Sequence, residues 1–220
     1  MKIGIVIPDR GDRPELLANC IRMMLAQTMS FEYLVLVDPS LVPVSDTYDI
    51  TPRYKYGYNA LTEIGDCDLI AFIENDDWYD PTYLETMVSE WKKAGQPDLF
   101  GTRYTIYYHL KLKKLFTMKH ESRASAMNTF IKPGLTFPWA KDNDPFTDCW
   151  LWNLPQLSRA LCTPDKIISV GIKHGVGKTG GNSHVNNLNR YIQDDSNMDW
   201  LKSVVDRPSF EFYASLSDKL

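Results

Sequence analysis

Lys2-Ile3-Gly4-Ile5-Val6-Ile7 is an apolar run closed by Pro8. A run of this length without polar alternation suits a strand covered on both faces, as in a parallel sheet. A polar loop follows, Asp9-Arg10-Gly11-Asp12-Arg13, and then Pro14, a residue at home in a first helical turn. Leu16, Leu17, Cys20, Ile21, Met24 and Leu25 recur at helical spacing and predict a helix over residues 14–27. Residues 33–37 read as a second strand ended by Asp38-Pro39. A loop rich in Pro, Ser and Asp leads to a helix expected over 55–64, a third strand over 69–73, and a helix opened by Pro81 that runs to Ala94.

Strand and helix alternating in this way imply an α/β fold: a Rossmann-like, mostly parallel sheet flanked by helices, joined by right-handed crossovers. Ligands in such sheets bind outside the carboxyl ends of the strands. The residues at those ends are Asp9, Arg10, Asp38, Glu74, Asp76 and Asp77. A site rich in carboxylates thus follows from topology. Past residue 98 the pattern becomes mixed and more open. Strands are expected over 99–108 and 113–118, paired as a hairpin, then over 128–132 and 166–172, with helices over 148–153 and 197–206. The length of 220 residues suits one domain, with a ligand-binding half over 1–98 and a second half over 99–220.

Composition is ordinary for a globular chain, 44% apolar and 24% charged, with a net charge of −4. Residues 103–141 nevertheless hold eight Lys/Arg against the single acid Glu121. A basic stretch in an acidic protein either forms a solvated hairpin or meets an anionic ligand, nucleic acid included. The cysteines, Cys20, Cys67, Cys149 and Cys162, are scattered without a C-x-x-C, so neither a zinc site nor a disulfide framework is indicated. No secretory leader or membrane-length apolar run is evident, and a cytoplasmic protein with reduced thiols is the expectation.

The chemistry concentrates in Phe72-Ile73-Glu74-Asn75-Asp76-Asp77-Trp78. Acids crowded at a strand end repel one another unless a cation sits among them. Hard oxygen ligands suit Mg2+ or Mn2+, with phosphate oxygens completing the shell. An acidic turn before the helix at Pro81 would use the same residues.

The stretch IPDRGDRPELLANCIRMMLAQT resembles the opening of family 2-like glycosyltransferases of the GT-A fold. FEYLVLVD is similar to that family's second strand, and GYNALTEIGDCDLIAFIENDDWYDPTYLETMV to the segment carrying its acidic motif. The resemblance covers residues 2–92. It implies a metal-dependent transferase that takes a nucleotide-sugar donor, a UDP-sugar, and glycosylates an acceptor hydroxyl with inversion. Asp76 then matches the main metal ligand, with Asp77 beside it, and Glu74 and Asn75 face the ribose or a metal-bound water. Glu74 stands where the family more often has Asp. Pro8, Asp9 and Arg10 match the nucleotide loop, and Asp38 the base contact. Tyr58 and Asn59 lie near the family's Arg-Asn pair, Tyr replacing Arg. Asp148 in Thr147-Asp148-Cys149-Trp150 is the candidate base and Asp144 the second, although Asp148 could also simply cap its helix. A late His completes the metal shell in many such enzymes; here His184 or His174 would serve, with Lys178 on the diphosphate. Asp76→Asn is expected to abolish transfer and leave the fold intact.

The same late segment, His174-Gly175-Val176-Gly177-Lys178-Thr179, invites a P-loop reading. That motif would require Gly at the position of Ile172. The glycines of 174–184 suit a lid over the donor. Trp78, Trp139, Trp150 and Trp152 could stack on sugars or fill a core. A nucleotidyltransferase would carry a glycine-rich basic loop after its first strand, which the 9–13 loop is not. A sugar- or nucleotide-binding module without catalysis is the non-enzymatic alternative. The basic 103–141 stretch would suit a modified DNA base, an anionic polysaccharide or a lipid-linked phosphate as acceptor.

Overall fold

The computed structural model describes residues 1–175 and 188–220. Strand β1 (Ile3–Pro8) pairs in parallel with β2 (Tyr33–Val37) on one side and β3 (Leu69–Phe72) on the other. Side chains alternate across a strand, so β1 feeds two cores. Ile3, Ile5 and Ile7 join one with helices α1 (Pro14–Leu25) and α3 (Tyr83–Lys93); Val6 joins the other with α2 (Ile50–Ile64). Burying each such side chain fully contributes ~1.5–3 kcal/mol. Helix α2 approaches β1 closely because of one glycine: a Cβ on Gly57 would stand 2.3 Å from Val6 Cγ1.

Past α3 the sheet turns mixed. Its strand order is β2-β1-β3-β8-β5-β9, with β5 (Leu99–Thr102), β8 (Thr129–Ile131) and β9 (Arg159–Cys162). β8 runs antiparallel to both β3 and β5, and β5 pairs in parallel with β9. A second sheet has the order β11-β7-β6-β10-β4. It comprises β4 (Trp78–Tyr79), β6 (Tyr104–His109), β7 (Lys114–Lys119), β10 (Ser169–Lys173) and β11 (Gln193–Asp194). β10 lies parallel to β6 and antiparallel to the two residues of β4. That last pairing brings the end of β10 against the acidic motif.

Several expected boundaries are corrected. Helix α1 stops at Leu25 rather than Gln27. Helix α2 starts at Ile50, five residues before the expected position. Pro52 hid that start, yet a first turn needs no N–H from it. The strand expected over 99–108 divides at Arg103 into β5 and β6, which belong to different sheets. β10 runs to Lys173 instead of starting at 166. Strand β9 and the terminal helix Arg207–Ser217 were not anticipated, although Asp206 caps that helix by accepting from Ser209 N at 3.2 Å.

Trp78 and Trp152 are core side chains, whereas Trp150 is exposed. The four cysteines are free thiols. No helix among the described residues is long and apolar enough to cross a membrane.

Candidate active site

The end of β3 opens into a cleft of about 400 Å³, walled by both halves of the chain. Pro8, Arg13 and Ile50 line it, together with Glu74, Asn75 and Asp76 of the acidic motif and with Tyr107, Arg123, Asp148 and Lys173. A recess lined by Arg10, Tyr48, Asp49 and Arg53 shares Pro8, Arg13 and Ile50 with it.

Hydrogen bonds hold the acidic motif. Asn75 donates its amide to Asp9 Oδ1 at 2.7 Å, and Gly11 N donates to Asp9 Oδ2 at 3.1 Å. Asp9 therefore ties the β1 loop to the acidic motif. Ile172 N donates to Asp77 Oδ1 at 2.7 Å, which anchors β10 and sets Lys173 and His174 over the motif. His174 Nε2 lies 3.0 Å from Asp76 Oδ2. Arg13 pairs with the same Asp76 oxygen, and its Nη1 is 3.3 Å from His174 Nε2. Lys173, only 6% exposed, lies with its ammonium 5.2 Å from the Tyr107 ring centroid.

Charge and burial compete here. Burial drives the Asp76 carboxyl upward, but Arg13, His174 and Lys173 outweigh it and hold Asp76 far below the usual carboxylate range. Burial pushes Glu74 up to about 7; Lys173 opposes this, while Asp76 and Asp148 add to it. Asp77 is fully buried and displaced well above its ordinary value, chiefly by burial. Lys173 is raised despite burial, because Asp77, Asp76 and Glu74 surround it.

A divalent cation fits this set. Ligand atoms of Glu74, Asp76 and Asp77 lie within 4.8 Å of one another. Asp77 Oδ2 is buried and has no hydrogen-bond partner among the described residues. Carboxylate oxygens joined by an imidazole are donors that Mn2+ accepts, and Mg2+ takes the carboxylates.

Asp148 lies in the first turn of α4 (Thr147–Trp152) and not at its N-cap, which is Phe146. Its carboxylate therefore reaches the cleft, where Arg123 pairs with it. Burial raises Asp148 above its ordinary value, with Arg123 opposing.

Other expected positions fall elsewhere. Asp144 accepts from Phe146 N at 2.8 Å in the preceding turn and does not line the cleft. Asp38 is held by the backbone and hydroxyl of Ser40. Tyr58 is corrected as a donor contact: 2% exposed, it packs on Phe137 and Trp139, and its hydroxyl donates to Lys132 O at 3.1 Å. Asn59 is exposed on α2 outside the cleft lining. Lys178 and His184 lie outside the described residues. Of the eight basic side chains of 103–141, Arg123 alone lines the cleft; Lys119 and Lys132 pair with Glu121 and Asp98.

Sequence reading missed Arg13, Asp49, Arg53, Arg123 and Lys173. Arg53 is 1% exposed and donates to Val37 O at 2.9 Å, while Arg10 pairs with Asp49 at 2.6 Å. A usable signal existed for Lys173, which directly precedes His174. None existed for Arg123.

No protein-family model matches the chain, and no curated protein is similar to it in sequence. Among solved structures, S. aureus TarS 1-349 in complex with UDP-GlcNAc is similar with a TM-score of 0.53 at 12% identity. That similarity covers 82% of this chain and 60% of the TarS chain. A197 from STIV is similar over 74% of this chain and 82% of that one, at 15% identity and a TM-score of 0.48. The likeness to TarS shows the fold, a GT-A-like α/β glycosyltransferase architecture.

Proposed function

We propose that this protein is a metal-dependent glycosyltransferase that moves a sugar from a UDP-sugar to an acceptor hydroxyl with inversion. The observation that carries this reading is one cleft lined by Asp76, Glu74 and Asp148, with His174 Nε2 3.0 Å from Asp76 Oδ2. A GT-A-like fold supports it, as does the UDP-GlcNAc complex of the TarS structure that shares it.

Asp76, His174 and Glu74 would hold Mn2+ or Mg2+, which supplies positive charge against a leaving diphosphate. Asp77 is fully buried, and its Oδ1 anchors β10 by accepting from Ile172 N. Lys173 and Arg13 bring further positive charge to the diphosphate as it departs. Asp148 accepts the acceptor's hydroxyl proton at a carboxylate oxygen as the acceptor's own oxygen attacks the anomeric carbon and the sugar–phosphate bond breaks. Arg123 in the same cleft favours an acceptor that carries negative charge. Lys178 and His184 would contribute from the 174–184 segment.

The test is release of free nucleotide from UDP-sugars, with Mn2+ and with EDTA, by wild type and by Asp148→Asn. Water can serve as a slow acceptor. Metal-dependent release that falls in the variant supports the reading. Metal-dependent UDP binding with no turnover toward water or any hydroxyl acceptor would leave a binding module.

A further inference from the structure

The guanidinium of Arg13 occupies a chemically specific place. Its Nη1 pairs with Asp76 Oδ2 and stands 3.3 Å from His174 Nε2, two atoms that are themselves 3.0 Å apart. Adjacent ligands on an octahedral ion at ~2.1 Å would also lie ~3 Å apart. One nitrogen of Arg13 therefore sits against the two atoms that such an ion would share. The pair is well shielded, with side-chain exposures of 14% for Arg13 and 7% for Asp76.

We propose that Arg13 is the site's own counter-cation, which bars divalent metal from the Asp76–His174 pair until a diphosphate draws the guanidinium away. The inference rests on the transferase reading for the identity of that diphosphate. Three steps support it. Arg13 cannot yield by losing its proton, because a guanidinium stays charged at any working pH. It therefore has to move, since the oxygen it shares with the ion cannot serve both at full strength. A diphosphate offers it a better partner than one carboxylate oxygen, because phosphate oxygens accept the guanidinium's paired N–H groups side by side. Arg13 is suitably placed for that exchange. It is the last residue of the loop before α1, and it lines both the cleft and the side recess. Metal and nucleotide would thus enter together, and the donor-free protein would keep its acids neutralised.

The test is Mn2+ titration without nucleotide, followed by electron paramagnetic resonance, on wild type, Arg13→Gln and Arg13→Lys. Arg13→Gln removes the charge and should bind Mn2+ at least ~10-fold more tightly than wild type, ~1.4 kcal/mol. Arg13→Lys keeps the charge and should stay within ~3-fold of wild type, well under the ~1.4 kcal/mol of a tenfold change. Added UDP should tighten Mn2+ binding far more in wild type than in Arg13→Gln. Equal Mn2+ affinity of wild type and folded Arg13→Gln, with UDP bound by both, overturns the role of Arg13 and leaves the transferase reading standing. Tighter Mn2+ binding by Arg13→Gln, with no UDP binding by any of the proteins, supports the competition and counts against the transferase reading. A structure of wild type with UDP and EDTA gives a readout independent of the variants. Arg13 on a phosphate supports the exchange, and Arg13 still on Asp76 overturns it.

Discussion

The cleft sets two carboxylates, Asp76 and Asp148, each against an arginine, and the outcomes are opposite. On the donor side, Asp76 meets Arg13, His174 and Lys173, and its carboxyl is held far below the usual range. On the acceptor side, Asp148 meets Arg123, and burial keeps it above that range. The difference lies in how many cations stand against each acid, since burial pushes both upward. Asp76 is thereby fitted to remain an anion and hold a metal. Asp148, raised above its ordinary value by burial, suits the proton-accepting role proposed for it.

Breaking the donor side should have the largest effect. Asp76→Asn should remove the Mn2+-dependent thermal shift with UDP and abolish transfer. It should also lower stability by ~2–3 kcal/mol, because Arg13 keeps only the exposed Asp12 in place of its buried anion. The fold should stay intact, and chemical denaturation measures the loss. The folded Asp76 carboxyl has a depressed pKa, so its stabilisation is present above the ordinary Asp range and is lost as pH falls below it. Asp76→Asn should remove that dependence.

Breaking the acceptor side should be milder and purely kinetic. Asp148→Asn should lower the transfer rate by ~10²–10⁴-fold and leave Mn2+–UDP affinity unchanged. A parallel loss of affinity would show that Asp148 belongs to the donor site. Arg123→Ala sharpens the contrast. Arg123 lowers the Asp148 pKa, so its removal raises that value and keeps the carboxylate protonated to higher pH. The acid limb of the rate profile should move up by ~0.5–1 pH unit, and an unmoved limb would exclude Asp148 as the titrating base. The smallest effect belongs to Tyr58→Phe. It loses the bonds to Lys132 O and from Leu135 N, costing ~1 kcal/mol of stability with transfer unchanged.

The first half of the fold was legible because its signals are local. The apolar runs of β1, β2 and β3 and the helical spacing of α1 lie within a few residues of each other. Boundaries failed where one residue carried two readings. Pro52 looked like a break and sits in a first turn, and Arg103 looked like mid-strand and divides two sheets. The acids of the site were legible from their place at a strand end. Their partners were not, because Arg13 is 63 residues from Asp76 and His174 is 98 residues from it. Tyr58 shows the converse: the family resemblance sets it near the donor, while its helix face turns it into the core.

Sequence alone determined the alternation of strands and helices through the first hundred residues, and with it the carboxylates at the mouth of the sheet. Periodicity fixes which face of an element is buried, and topology fixes which strand ends open to ligand. Tertiary structure decided which carboxylate stays charged, which is raised, and which cations stand against them. Those outcomes depend on burial and on contacts between distant segments, above all the pairing of β4 with β10 that brings Lys173 and His174 over the acidic motif.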